Sequence, residues 1–227
     1  GIKDAFFTSL TDAESFRPIT SKKAYDVTFI GSQKMDKSGR YEFIKHLKDN
    51  GINIRLFGFG WENFSDLKEF YGGPLESDEV VKVINQSKIN LCFSKDNFGR
   101  PQMKAKIFEV GACKSFTLCE HAKDYESYFE KDKDIVFFST KEDLLEKVKY
   151  YLKNDKEREK ISNEAYKKIK NKYALNTEIK NFILKTRNSR KTISLPKINK
   201  KVFKIDDKYI KFSNQDLIRQ TEGYDYI

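Results

Sequence analysis

Glu109 is the single acid in the run KIFEVGA (106–112), an otherwise mostly apolar stretch. An acid on a helix is ordinarily just solvated, but the company of this one suggests a task. Lys34, Arg40, Arg100, Lys104 and Lys106 all fall in or just beyond segments that read as loops following strands. A carboxylate has two acceptor oxygens, enough to take hydrogen bonds from two sugar hydroxyls. Clustered cations beside the unpaired N–H groups of a helix start suit a pyrophosphate. Taken singly, each base is more simply a surface charge; their shared address is the stronger signal.

The elements that must position these residues are legible as alternating short apolar runs and longer amphipathic ones. YDVTFIG (25–31), INIRLFGFG (52–60), KINLCFS (88–94), SFTLCE (115–120) and DIVFFS (134–139) read as strands rich in β-branched and aromatic residues. Between them, Phe43, Ile44 and Leu47 recur at helical spacing before Gly51, and SDEVVKVINQS predicts a helix capped by Ser77 with an acid-rich first turn. Residues 104–113 predict a helix, DYESYFE a short one, and Thr140 caps EDLLEKVKYYLKN. Two more helices are expected over 155–173 and 176–187. Strands separated by helices of ten or more residues must pair in parallel through right-handed crossovers, so the expected fold is α/β, a doubly wound Rossmann-like sheet of five parallel strands with helices following it. Such sheets bind ligands beyond the carboxyl ends of their strands, at the point where strand order reverses. That rule selects the loops after Gly31, Gly58, Ser94 and Glu120.

The 227 residues are sufficient for one ordinary domain with additions. We expect a lead-in over 1–24, a ligand-binding body over 25–187 and a basic extension over 188–227, where VFKIDDKYIKFS alternates like a small hairpin. The net charge of +10 is C-terminal in origin, because residues 1–140 hold 21 Lys+Arg against 21 Asp+Glu and the rest hold 23 against 13. Lys-rich helices with interleaved acids read as solvated faces carrying i,i+4 pairs. No run is long and apolar enough for a membrane span. Cys92, Cys113 and Cys119 sit in apolar surroundings without metal-ligand spacing, which points to buried reduced thiols in a cytoplasmic protein.

Several chemistries find no motif. Gly58-Phe59-Gly60 follows a strand, but Trp61 and Asn63 break a dinucleotide fingerprint, and no GxxxxGK[ST] occurs. No HExxH or Ser/His/Asp arrangement stands out, and His46 and His121 are far apart in the chain.

YDVTFIGS, INIRLFGFGW, INQSKINLCFS, KAKIFEVGACKSFTLCE and DIVFFSTKEDLLEKVKYYLKNDKEREKISNEAYKKI together resemble the C-terminal half of group 1 glycosyltransferases, most closely the spore-maturation (CgeB-like) branch. The resemblance covers about residues 20–175 in order. It implies the GT-B architecture, whose C-terminal half binds a nucleoside-diphosphate sugar as donor without a bound metal or other cofactor. On this resemblance Glu109 contacts the nucleotide ribose and Lys106 stands where the CgeB-like branch often has Arg. Gly31 and Ser32 form the glycine loop after the first strand, and Gly58, Gly60 and Trp61 match the loop near the base. Arg40, Arg100 and Lys104 complete the expected donor-binding set. Many retaining members have a second Glu eight residues before the helix Glu; here that position is Pro101. No catalytic base can be named from the sequence.

The resemblance further implies a missing partner, an N-terminal GT-B domain carrying the unknown acceptor. Two other classes of function stay open at this point: a nonenzymatic module for nucleotides or sugar phosphates, and a binder of nucleic acid or an anionic membrane surface through the basic tail, where Tyr209 and Phe212 alternate with Lys208 and Lys211.

Overall fold

The computed structural model describes residues 12–33, 39–96, 98–174, 179, 180 and 184. Five strands, β1 (Tyr25–Ile30), β2 (Ile54–Phe57), β3 (Ser87–Cys92), β4 (Thr117–Glu120) and β5 (Val136–Phe138), form one sheet in the order β2-β1-β3-β4-β5. Every pairing is parallel, with Val27 opposite Ile54 and Ile89, and Cys92 opposite Cys119. The expected doubly wound α/β sheet is therefore the fold, and strand order reverses between β1 and β3.

Alternation along the strands sends side chains to two apolar layers. Val27, Phe29, Leu91 and Leu118 face one layer together with Ile44 and Leu47 of α1 (Arg40–Asp49) and Leu144 and Val148 of α4 (Lys141–Lys153). Cys92, Cys119 and Phe137 face the other, filled by Ile84 of α2 (Ser77–Gln86) and by Ile107, Phe108 and Val110 of α3 (Lys106–Ala112). Ile44, Leu47, Leu144 and Val148 are wholly buried, and each contributes about 1.5–3 kcal/mol by leaving water. The helix α5 (Asp155–Lys168) serves both layers, since Ile161 belongs to the first and Ile169, in the π-helical turn that follows, to the second. There Gly111 of α3 meets Ile169 so closely that an added Cβ would lie 2.3 Å from its Cδ1.

Boundaries follow local chemistry. Gly51, at φ +75°, ends α1 as expected, and Thr140 caps α4 by accepting the Asp143 N–H at 3.1 Å. The start of α2 differs from the sequence expectation: Ser77 is the first helical residue and Glu76 is the cap. Glu76 and Glu79 form a reciprocal capping box, in which Glu79 accepts the Glu76 N–H at 2.9 Å. The lead-in has no regular secondary structure over 17–24 and docks on the end of α2, the Ile19 N–H donating to Asn85 Oδ1 at 3.0 Å and the Lys23 ammonium to the carbonyls of Asn85 and Ser87 at 2.8 Å. The helix expected over 176–187 and the hairpin expected near 202–213 lie largely or wholly outside the described residues.

Candidate functional site

At the carboxyl end of the sheet, where β1 and β3 part, a cavity of about 350 Å³ is lined by Phe29, Ile30, Gly31, Arg40, Cys92, Phe93, Lys104, Ala105, Lys106 and Glu109. The two strand ends supply its floor, α1 brings Arg40, and α3 with its entry brings Lys104, Lys106 and Glu109. Five of the residues expected from sequence thus meet in one place: Gly31, Arg40, Lys104, Lys106 and Glu109.

Arg40 is nearly buried, at 9% exposure. Its Nη1 donates to the Ser32 carbonyl at 2.9 Å and its Nη2 to the Lys95 carbonyl at 2.8 Å, so one guanidinium ties the loop after β1 to the loop after β3. The Lys104 ammonium is bonded to Gln102 Oε1. Burial and then the neighbouring Arg40 charge pull its pKa below the ordinary lysine value, which means two cations share one region of positive potential. Glu109 Oε2 lies 2.7 Å from Lys106 Nζ, an i,i+3 ion pair on the cavity wall. Three cations against one carboxylate, over walls of Phe29 and Phe93, make a site for an anion with a hydroxyl-bearing neighbour. Burial pushes the Cys92 thiol up to about 12, so it is a wall and not a nucleophile.

Of the other expected residues, Ser32, Gly58, Gly60 and Trp61 support the loops around the cavity. Trp61 is fully buried, so its indole cannot meet a base; it packs edge-on against Phe29 at 5.8 Å, and its Nε1–H donates to the Gly31 carbonyl at 2.8 Å. Its aromatic surface was needed for the core beneath the loop. Gly58 and Gly60 let two loops lie side by side. Gly31 N–H donates to the Phe57 carbonyl at 2.9 Å and Gln33 N–H to the Phe59 carbonyl at 2.8 Å. A Cβ on Gly60, at φ +93°, would lie 1.8 Å from the Gln33 carbonyl oxygen. Ser32 contributes its carbonyl to Arg40 and does not line the cavity. Arg100 stands away from the cavity, its side chain 71% exposed, held to Asp96 at 2.8 Å and stacked at 5.0 Å over Phe98. Lys34 lies outside the described residues.

Sequence reasoning overlooked the supports from the end of β4 and the turn after it. Glu120 is buried, and its Oε2 accepts the Ser94 N–H at 3.0 Å and the Ser94 hydroxyl at 3.2 Å while its Oε1 pairs with Lys95 at 2.7 Å. Tyr125, in the 3-10 turn Lys123–Ser127, binds the backbone of Gln102 and Lys104 through its hydroxyl. An acid closing the apolar strand TLCE was the available signal for Glu120; nothing local marks Tyr125. Neither histidine enters the cavity: His121 pairs with Glu126 at 2.8 Å on the surface, and His46 lies on α1. Among the described residues no group of three or more His, Cys, Asp or Glu side chains could hold a metal, and no helix is long and apolar enough to cross a membrane. The three cysteines are free and buried, as their apolar surroundings suggested.

A family model described as glycosyl transferase-like matches residues 40–183, more than half of the chain. The chain belongs to this glycosyl transferase-like family. No curated protein matches it. Among solved structures, the C-terminal domain of the group 1 glycosyl transferase LpcC from Francisella tularensis is 18% identical with a TM-score of 0.56, over 73% of this chain and 99% of that domain. Sucrose-phosphate synthase from Thermosynechococcus elongatus is 8% identical with a TM-score of 0.64, over 81% of this chain and 52% of that one. Anabaena HepE, solved in complex with UDP-glucose, is 12% identical with a TM-score of 0.61, over 79% of this chain and 56% of that one. At these identities the likeness is one of fold, that of the C-terminal half of group 1, GT-B glycosyltransferases. The chain spans about half the length of the two larger proteins.

Proposed function

We propose that the chain is the donor-binding half of a glycosyltransferase that moves a sugar, of the hexosyl class, from a nucleoside diphosphate to an acceptor. The observation that carries this is the convergence of Arg40, Lys104, Lys106 and Glu109 on one cavity at the reversal of strand order. Membership in the family and the UDP-glucose held by HepE support the same ligand class. In this reading the ribose hydroxyls donate to the Glu109 carboxylate, and the diphosphate lies against Lys104, Lys106 and the edge of Arg40. As the bond between the anomeric carbon and the phosphate oxygen breaks, charge develops on the departing diphosphate. Those fixed cations stabilise it in an apolar-walled site, where such stabilisation is strongest, and the reading assigns no step to a metal. The acceptor, and any group that takes its proton, belong to an N-terminal domain of the same enzyme. The body over 25–187 is the donor domain in this reading, the CgeB-like branch is its expected branch, and the cytoplasm, where nucleotide sugars are abundant, its place of work. Peripheral membrane contact is assigned to the basic tail, and no role in nucleic-acid binding is assigned.

The test is a calorimetric and thermal-shift panel of UDP, GDP, ADP and their sugar conjugates. A ligand at a hundred times its Kd should stabilise the protein by about 2.7 kcal/mol. Glu109→Ala should weaken the best ligand by about tenfold to a hundredfold, the loss of one or two hydrogen bonds to a charged acceptor. Stabilisation by none of them, or equal binding by Glu109→Ala, defeats the proposal. Release of free nucleotide from the conjugate by the complete enzyme separates a transferase from a binding module.

A further inference from the structure

We infer that Tyr125 is a positioning residue for the phosphate end of the cavity: its buried hydroxyl sets the backbone from which Lys104 reaches the ligand, without touching ligand itself. The inference rests on the proposed nucleotide reading of that cavity.

Tyr125 is completely buried and absent from the cavity wall. Its hydroxyl accepts the Lys104 N–H at 3.1 Å and donates to the Gln102 carbonyl at 3.2 Å, so it both accepts from and donates to one short segment. Residues 102–104 belong to neither β3 nor α3. Backbone groups in such a stretch need partners from elsewhere. The Gln102 N–H finds the Ser94 carbonyl at 2.6 Å, and the Gln102 side chain holds the Lys104 ammonium. Tyr125 closes this set from the far side, where its ring lies parallel to that of Phe137 with centroids 6.2 Å apart. Burial raises the pKa of the phenol, which keeps its proton available to the Gln102 carbonyl. Because the Lys104 N–H is already engaged, the ligand meets Lys104 through its ammonium and not through that amide. A phenylalanine in this place would fill the same space and leave both backbone groups without their partner.

The experiment compares UDP with uridine on wild type, Tyr125→Phe and Phe137→Leu. Phe137→Leu removes the stacked ring, lowers stability and leaves the hydroxyl in place. Tyr125→Phe should weaken UDP by about tenfold and uridine by less than about twofold. Phe137→Leu should lower the melting temperature with the UDP-to-uridine ratio unchanged. An unchanged ratio in Tyr125→Phe, with wild type still binding UDP, overturns the positioning role and leaves the nucleotide reading standing. Wild type that binds no nucleotide overturns both. Should Tyr125→Phe not fold, saturating UDP on wild type must shift the Lys104 amide resonance where uridine does not, and the absence of that difference refutes the inference.

Discussion

Replacing Arg40 with methionine tests the structural and the electrostatic claims at once. The guanidinium is nearly buried and donates to two carbonyls, at 2.9 and 2.8 Å, that belong to different loops. A hydrogen bond from a charged donor contributes about 1.5–3 kcal/mol, and removing the charge relieves part of its desolvation cost. Methionine retains the apolar stem, so packing changes little. The net loss should be about 3 kcal/mol. For a chain of this size each kcal/mol moves the melting temperature by about 2–4 °C, giving a fall of about 6–12 °C. Arg40→Lys should recover no more than about half, because a single ammonium on a shorter reach cannot bridge both carbonyls as a planar fork does. UDP affinity should fall at least about tenfold in Arg40→Met, since a fixed positive charge leaves an apolar-walled cavity. Urea unfolding gives the first number, provided the m-value holds, and calorimetry gives the second. Stability within about 0.5 kcal/mol of wild type would refute the bridge between the loops. Undiminished UDP binding would refute the assignment of this cavity to the diphosphate.

Gly60→Ala should cost at least about 3 kcal/mol, because the new Cβ falls 1.8 Å from the Gln33 carbonyl at φ +93°. Gly39→Ala, at φ +74° with nothing within 4 Å, should cost only about 1 kcal/mol, and equal losses in urea unfolding would show that close approach of the loops is not what Gly60 provides. Glu120→Gln should lose about 1–2 kcal/mol by breaking the pair with Lys95, whose own side chain is 38% exposed; a double-mutant cycle with Lys95→Met that shows no coupling counts against that pair. UDP affinity should decline on the alkaline side. Burial and Arg40 lower the Lys104 pKa in the free protein, while a bound anion raises it, so binding takes up a proton between the two values. Affinity therefore falls as pH rises through the lowered free-state value, starting below the usual lysine range, and levels off above the bound-state value. In Lys104→Met that alkaline decline should shrink, and an unchanged pH profile by calorimetry would exclude Lys104 as its source.

Much of this architecture is written in local patterns. Apolar runs of four to six residues alternating with amphipathic helices allow little besides a parallel, doubly wound sheet, because parallel strands need crossovers and crossovers have one hand. The carboxyl-end rule for such sheets selects four loops, those after β1, β2, β3 and β4; the cavity uses the ones after β1 and β3. Glu109 was legible because an acid inside KIFEVGA contradicts its neighbours, and Lys106 because it falls just beyond the loop that follows β3. Thr140 announced α4 through the acids that follow it. Ser77 misled because Glu76, one residue earlier, makes a reciprocal box with Glu79 that a single-residue cap preference does not anticipate.

Composition and spacing could bring cations to one end of the sheet, and no further. Arg40 and Arg100 look alike in the chain, yet one bridges two carbonyls on the cavity wall and the other lies in solvent over Phe98. Trp61 is expected in the loop near the base, yet the crossover from β2 turns its side chain into the core, where its N–H holds the Gly31 carbonyl. Tyr125 carries no local mark, since its value lies in reaching a backbone 21 residues away. Hydrophobic period and turn chemistry are short-range properties, so they name the elements and the edge at which a ligand binds. Which side chains line the cavity and which only hold it in shape depends on contacts between residues distant in the chain, and those exist only once the strands have paired.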